Sequence, residues 1–437
     1  MPIRRLGAEI WLPDKRWGCF FISEGVDTEN EKGEVMTEKA LSGVKALELA
    51  TFVAGPYCSK LFADLGAEVI KIEQPGVGDE ARRRGPFPND MPHPERSGLF
   101  LYLNTNKLGV TLNVGSHSGR EIFKQLVKWA DILVEDNPPT KMKQLGFDYE
   151  TLQTINPRLI TTSITPFGQT GPYKDYKAYG LNISHVSGSG YVTPVHESEG
   201  ELGPIKGGGF FDDYCHGLSA AAATLTALYY REMTGQGQHV DVSKQEASLC
   251  LDRDSALMRD IEGKVLTRVR KGGAGGFIPT RDGYAWMAVA DDRHWKALCQ
   301  VMGDPEWTKD ERFKDRDSRE LNGQELSSLL GEWTKEFDRE TLYHKIQSVG
   351  IPSGVVRSPG VIMEHDQQFK ARGFFVDIDH PVAGTLTYPS APYILSETPW
   401  TVERPAPMLG EHNEAVYCSL LGYSRRELVK LREAGAI

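Results

Sequence analysis

Val44-Lys-Ala-Leu-Glu-Leu49, a turn through Ala54-Gly-Pro56, a helical run to Leu65 and then Ala67-Glu-Val-Ile-Lys-Ile-Glu73 decide the fold. Two short apolar runs that bracket a helix are the pattern of a βαβ unit, and such a unit lays its strands side by side in a parallel sheet. Working outward, residues 109–113 read as the next strand. Ser118-Gly-Arg-Glu121 has capping-box spacing ahead of a helix over 122–129. Residues 130–136 and 158–164 read as strands around a helix at 152–156, and residues 240–250 return to sheet and then helix. The alternation predicts a doubly wound, Rossmann-like α/β domain. Its first turn, Thr51-Phe-Val-Ala-Gly-Pro56, lacks Gly-x-Gly-x-x-Gly, so no NAD site is expected there.

At about 150 residues per domain, 437 residues suggest two or three domains and ample chain for a buried core. Residues 284 to about 375 alternate one strand with charged helices, at 326–337 and 342–348, and read as a smaller α+β domain. The polar stretch Asp27-Thr-Glu-Asn-Glu-Lys-Gly-Glu34 reads as a solvated linker, so residues 1–38 form an N-terminal extension. A formal charge of -10 disfavours a nucleic-acid partner, because phosphate neutralisation needs a basic surface. Cysteines 19, 58, 215, 250, 299 and 418 show neither Cys-x-x-Cys nor a paired His spacing, so no metal site or disulfide framework is suggested. A reducing cytoplasm fits that usage. No run approaches 18 apolar residues and no secretory h-region opens the chain, so no membrane association is expected.

The chemistry gathers around Gly207-Gly-Gly-Phe-Phe-Asp-Asp-Tyr-Cys-His-Gly217, followed by an Ala-rich run to Arg231 and Thr234-Gly-Gln-Gly-Gln238. Residues 218–230 have helical propensity, which sets Asp212 or Asp213 at or near a helix N-terminus. Two readings follow. An aspartate there is first of all a common helix cap, and the sharper reading is a carboxylate nucleophile beside a glycine-lined cleft.

From about Leu41 to the C-terminus the chain resembles the family III CoA-transferases, the group of formyl-CoA and carnitine CoA-transferases. Asp213, Gly217, Arg231-Glu232, Thr234-Gly-Gln-Gly-Gln238 and Val240-Asp-Val242 carry the likeness, with Gly350-Ile-Pro-Ser-Gly-Val-Val356, Ala371-Arg-Gly-Phe-Phe375 and Ala406-Pro-Met-Leu-Gly-Glu-His-Asn413. The resemblance implies that Asp213 is the nucleophile. It implies CoA or substrate contacts at Val53, Ala54, Gln74, Asn104, Asn106, Lys107, Lys177, Tyr179 and Gly180, with Arg82, Arg83 and Arg84 as further cations for phosphate. It also implies a mobile lid over Gly272, Gly273, Gly275 and Gly276. His412, near the end, reads as a helix-start histidine with structural hydrogen bonds rather than a base. Several positions depart from the family pattern: Gly180 stands at an acidic place, Gln74 at a basic one and Val53 at a polar one.

The resemblance further implies ring-like chains interlocked in a dimer. The large domain (39–250) is then completed by a return segment (376–437) after a linker and small domain (251–375). The activity implied is transfer of CoA from an acyl-CoA to a free carboxylic acid through an aspartyl anhydride and an aspartyl-CoA thioester, with no bound cofactor or metal. Two alternatives stand beside it. An acyl-CoA racemase or isomerase is disfavoured, because Tyr179 replaces the His that would supply a second base. A noncatalytic subunit in a heteromer with a paralogous chain is disfavoured by the retained Asp213.

Overall fold

Six strands form one wholly parallel sheet: β1 (Lys45–Leu49), β2 (Glu68–Glu73), β3 (Leu108–Thr111), β4 (Ile132–Glu135), β5 (Ile160–Thr165) and β6 (His239–Ser243), in the order β3-β2-β1-β4-β5-β6. This is the doubly wound dinucleotide-fold order, here without the glycine fingerprint. The computed structural model describes residues 38–193, 203–265 and 274–437. The N-terminal extension therefore lies almost wholly outside the described residues.

Strand residues alternate between two apolar layers. Leu47, Ile70, Val110 and Leu133 face one way, onto Ile122, Phe123 and Leu126 of the helix His117–Trp129 and onto Tyr417 and Ile437. Ala46, Val69, Ile132 and Ile164 face the other way, onto Cys58 and Phe62 of the helix Ala54–Asp64 and onto Ala220 and Ala227 of the helix Phe211–Thr234. Both faces are covered, which is what a parallel sheet requires. The two helices of the second layer meet closely at Gly217, where a Cβ would stand 2.5 Å from the Ala54 carbonyl oxygen. A side chain at 217 would force them apart, and with them Asp213.

One expected boundary moves. Ser116, not Ser118, caps the helix His117–Trp129, its Oγ accepting the Gly119 N–H at 2.9 Å. Gly119 permits the tighter start, because a Cβ there would fall 1.9 Å from the Asn113 carbonyl oxygen.

The remaining strands build two small antiparallel sheets, Gly276–Thr280 with Gly283–Met287 and Ser353–Val355, and the hairpin Phe375–His380 with Gly384–Pro389. The three-stranded sheet shares a separate core of Ile278, Met287, Leu298, Phe313, Leu330 and Leu342 with its helices.

At the outer edge of the parallel sheet, β3 is covered by residues far along the chain. His412 takes the Gly109 N–H on Nδ1 at 3.1 Å and returns its own N–H to the Gly109 carbonyl at 2.9 Å. Asn413 Oδ1 accepts the Thr111 N–H at 2.9 Å, and the Tyr417 hydroxyl donates to the Thr111 carbonyl at 2.8 Å. An otherwise open edge is thereby closed. No helix among the described residues is long and apolar enough to cross a membrane.

Candidate active site

In a doubly wound sheet the crevice opens beyond the carboxyl ends of the strands where the order reverses, here between β1 and β4. A cleft of about 470 Å³ lies there, lined by Leu49 to Phe52 after β1, Asp136 to Pro138 after β4, Ile164 and Pro166 at the end of β5, and Gln74 and Asp79 after β2. Its rim is tied across the switch point. Asp136 Oδ2 accepts the Thr51 N–H at 2.8 Å and Asp79 Oδ1 the Phe52 N–H at 2.9 Å. Phe52 takes φ +70, an uncommon conformation for a bulky residue. It is held by that hydrogen bond and by an edge-on contact with Phe210 at 4.9 Å. Burial lifts the Asp136 carboxyl to about 6 against the Thr51 hydrogen bond and Lys244.

Asp213 enters the cleft from the first turn of the 24-residue helix Phe211–Thr234, after a chain reversal at Gly209 (φ +65). Phe210 occupies the N-cap position and no side chain caps this helix, so neither aspartate is spent as a cap. Asp213 is 2% exposed. Its Oδ1 accepts from Lys244 Nζ at 3.1 Å, and His216 Nδ1 stands 4.0 Å away. Burial, with Lys244 nearby, pulls the His216 imidazole down to about 4, so the ring is neutral at pH 7, and its Nε2 pairs with Ser248 Oγ at 2.7 Å. Gly180 lies against Oδ2, where a Cβ would come within 2.9 Å of it. The carboxylate is thus fixed between a cation and a bare backbone, near the positive end of a helix dipole.

Of the expected positions, the structure brings Gln74, Lys177, Tyr179 and Asp213 to one cleft and sets Gly180 against Asp213. Tyr179 is 63% exposed and precedes the helix Gly180–Val186. The cleft is not lined by Val53, Ala54, Asn104, Asn106 or Lys107. Val53 and Ala54 are buried in apolar clusters.

Lys107 Nζ donates to Glu48 Oε2 at 2.7 Å, the Pro56 carbonyl at 2.8 Å and Asn104 Oδ1 at 2.9 Å, all buried. Glu48 also takes Lys71 Nζ and Ser59 Oγ, each at 2.5 Å, and Lys71 reaches Asp79 Oδ2 at 2.7 Å, so the network supports the rim from beneath. Asn106 Nδ2 joins Asp64 at 2.8 Å and the Thr401 carbonyl at 2.9 Å. The polar groups of this Asn-x-Asn-Lys segment are satisfied inside the protein, because the strand and helix carrying Glu48 and Asp64 face it.

Arg82 is likewise buried, paired with Glu73 at 2.7 Å and stacked on Phe100, while Arg83 and Arg84 hold Val77 and Glu80. Gly272 and Gly273 lie outside the described residues. Gly275 abuts the Met287 carbonyl, and Gly276 opens a strand of the small sheet.

Residues that sequence reasoning missed are the lysines, Lys141, Lys174 and above all Lys244, with Asp136. Lys244 looks like an ordinary solvated lysine at a helix start. The available signal was position, because it directly follows β6 and so stands at the same sheet end as the cleft. Among the described residues no group of His, Cys, Asp and Glu is arranged to hold a metal ion.

Comparison with known proteins adds the following. The family model for CoA-transferase family III matches residues 41–413. The chain is 32% identical over 429 residues to a formyl-CoA:oxalate CoA-transferase of Bradyrhizobium diazoefficiens, covering 91% of this chain and 97% of that protein. It is 31% identical over 388 residues to a succinate–glutarate CoA-transferase of Agrobacterium fabrum, covering 87% and 95%. Among solved structures, a CAIB/BAIF family protein from Brucella suis superposes with a TM-score of 0.76 at 32% identity, over 88% of this chain and all of that one.

Proposed function

The chain belongs to CoA-transferase family III, and from that premise we propose that this enzyme moves coenzyme A between small carboxylic acids through covalent intermediates on Asp213. The observation that carries the reading is a buried carboxylate that nonetheless lines the switch-point cleft, paired with a lysine and free of any capping duty.

A thioester must pass between two acids without being lost to water, and attack by a carboxylate preserves its reactivity. Asp213 attacks the donor acyl carbon; the C–S bond breaks, an anhydride C–O bond forms and CoA leaves as thiolate. The thiolate then attacks the Asp213 carbonyl, releasing the donor acid and leaving an aspartyl-CoA thioester. The acceptor carboxylate runs the same two exchanges in reverse. Each step makes one bond and breaks one, and no electrons change hands. Helix N-terminal N–H groups beside Asp213 are the donors for the oxyanion at each step.

The relatives' names pair short acids, several of them dicarboxylates, and the lysines of the cleft suit anionic substrates. The interlocked dimer, with the large domain completed by the return segment, belongs to the same proposal. Tyr229, Tyr230 and Met233 of the Asp213 helix and Leu249, Leu251 and Leu257 beyond it are exposed, an apolar surface suited to a second chain.

The test is intact-mass and peptide mapping after incubation with formyl-CoA or succinyl-CoA, with hydroxylamine trapping. A donor-dependent adduct on the Asp213 peptide is expected. Transfer without that adduct, or an adduct elsewhere, overturns the mechanism.

Gly180 gives a second handle. A methyl at 180 must displace the Asp213 carboxylate, the mobile partner of that contact. Gly180→Ala is expected to lower kcat by roughly 10- to 100-fold with little change in Tm, since misplacement by about 1 Å can cost two orders of magnitude. Wild-type kcat in this variant would show that the carboxylate does not react from its observed position.

A further inference from the structure

The steps above employ the Asp213 carboxylate and leave its cation without a task. Lys244 stands in the first turn of the helix Lys244–Leu251, its Nζ 3.1 Å from Asp213 Oδ1, with only 17% of its side chain exposed. Two other titratable groups feel this cation, His216 and Asp136. His216 is neutral at pH 7, and Asp136 already accepts the Thr51 N–H. Asp213 is therefore the counter-charge in direct contact with Lys244 in the resting protein.

Acylation changes that balance. An anhydride or thioester carbonyl at Asp213 carries no net charge, so a mostly buried ammonium loses its partner, a costly state unless another anion replaces it. Lys244 and Asp213 line the same cleft, so an incoming carboxylate meets the lysine at the reacting carbon. We infer that Lys244 is the docking cation for the free acid, first for the departing acid and then for the acceptor, and that it takes this role only while Asp213 is acylated. The inference rests on the covalent reading of Asp213. Its consequence is order: the resting enzyme has little affinity for free acid, and the acylated enzyme has much more.

The experiment compares wild type, Lys244→Gln and Lys244→Arg in two half-reactions, adduct formation from succinyl-CoA alone and discharge of that adduct by added glutarate. Loss of one charge-assisted contact corresponds to roughly a 10- to 100-fold change. The glutarate concentration for half-maximal discharge should rise by about that factor in Lys244→Gln, whose adduct formation should fall by a clearly smaller factor through the loosened Asp213 contact, and Lys244→Arg should recover most of the loss. On unaltered protein, glutarate should inhibit adduct formation only at concentrations at least roughly 10-fold above those that discharge the adduct. Wild-type glutarate dependence in Lys244→Gln, equal loss of both half-reactions, or tight glutarate binding to the resting enzyme would each overturn the inference. Absence of any adduct on wild-type Asp213 would instead overturn the covalent reading beneath it.

Discussion

Asp213→Asn is expected to lower CoA transfer by at least about 10³-fold, because the nucleophile of a covalent route is removed and the nearby carboxylates of Asp79 and Asp136 are held by the Phe52 and Thr51 N–H groups at the rim. Asn preserves the shape of the side chain. The substitution leaves the mostly buried Lys244 ammonium without its counter-charge, with only the amide oxygen to accept from it, so stability should also fall, by roughly 1–3 kcal/mol. CoA binding, measured by calorimetry, should persist. Asp213→Ala serves as the control against deamidation back to aspartate. Retention of a tenth of wild-type turnover in both variants would end the proposal, since Asp212, its neighbour on the helix, does not line the cleft.

The second large effect concerns stability. Lys107→Met is expected to cost about 3 kcal/mol, the low end of the usual penalty for breaking a buried ion pair, because Glu48 keeps a second cation. Glu48 is fully buried; without Lys107 it keeps Lys71 on Oε1 but only the Ser59 hydroxyl on Oε2, and the Pro56 carbonyl and Asn104 Oδ1 lose their buried donor. Burial by itself would raise the Glu48 carboxyl, but Lys107 and Lys71 overcome it and hold the group at about 2.

A carboxyl held below its unfolded value of 4.5 contributes stability that is present above that value and is lost as the pH falls toward 2. Lys107→Met should therefore shift the urea midpoint strongly at pH 7 and flatten this acid limb, with m unchanged. CoA affinity of the folded variant should match wild type. A stable Lys107→Met protein with weakened CoA binding would reverse the assignment and return Lys107 to the ligand.

These two residues mark what was and was not legible in the sequence. The βαβ periodicity of residues 44–73 is written in apolar alternation, and the strands at 130–136 and 158–164 follow by the same rule, so a parallel Rossmann-like sheet could be read directly. Glycines before it and a helix after it leave Asp213 open to being a helix cap, and it is the family resemblance that singles it out from Asp212. Lys107 was not legible in the same way, because a lysine beside asparagines looks the same whether its cation meets a phosphate or a carboxylate 59 residues away. The structure buries it against the carboxylate, and burial of a single polar residue is a property of packing that no local pattern records. Lys244 shows the converse, since its neighbours in sequence are unremarkable and its meaning comes wholly from facing a residue 31 positions earlier. Gly180 could be seen as a departure from the family pattern. What that departure does, letting Asp213 Oδ2 lie against a bare backbone, shows only in the folded chain.

The edge of β3 bears on how the chain is made. Gly109 and His412 are 303 positions apart, and a ribosome adding about 5–20 residues per second needs roughly 15–60 s to cover that interval. For all of that time the nascent sheet presents an unfinished border of peptide groups, while its interior is ready to close. An exposed strand border is a template for pairing with another chain, so the last stretch translated becomes the one that makes the first stretch safe from its neighbours on a polysome.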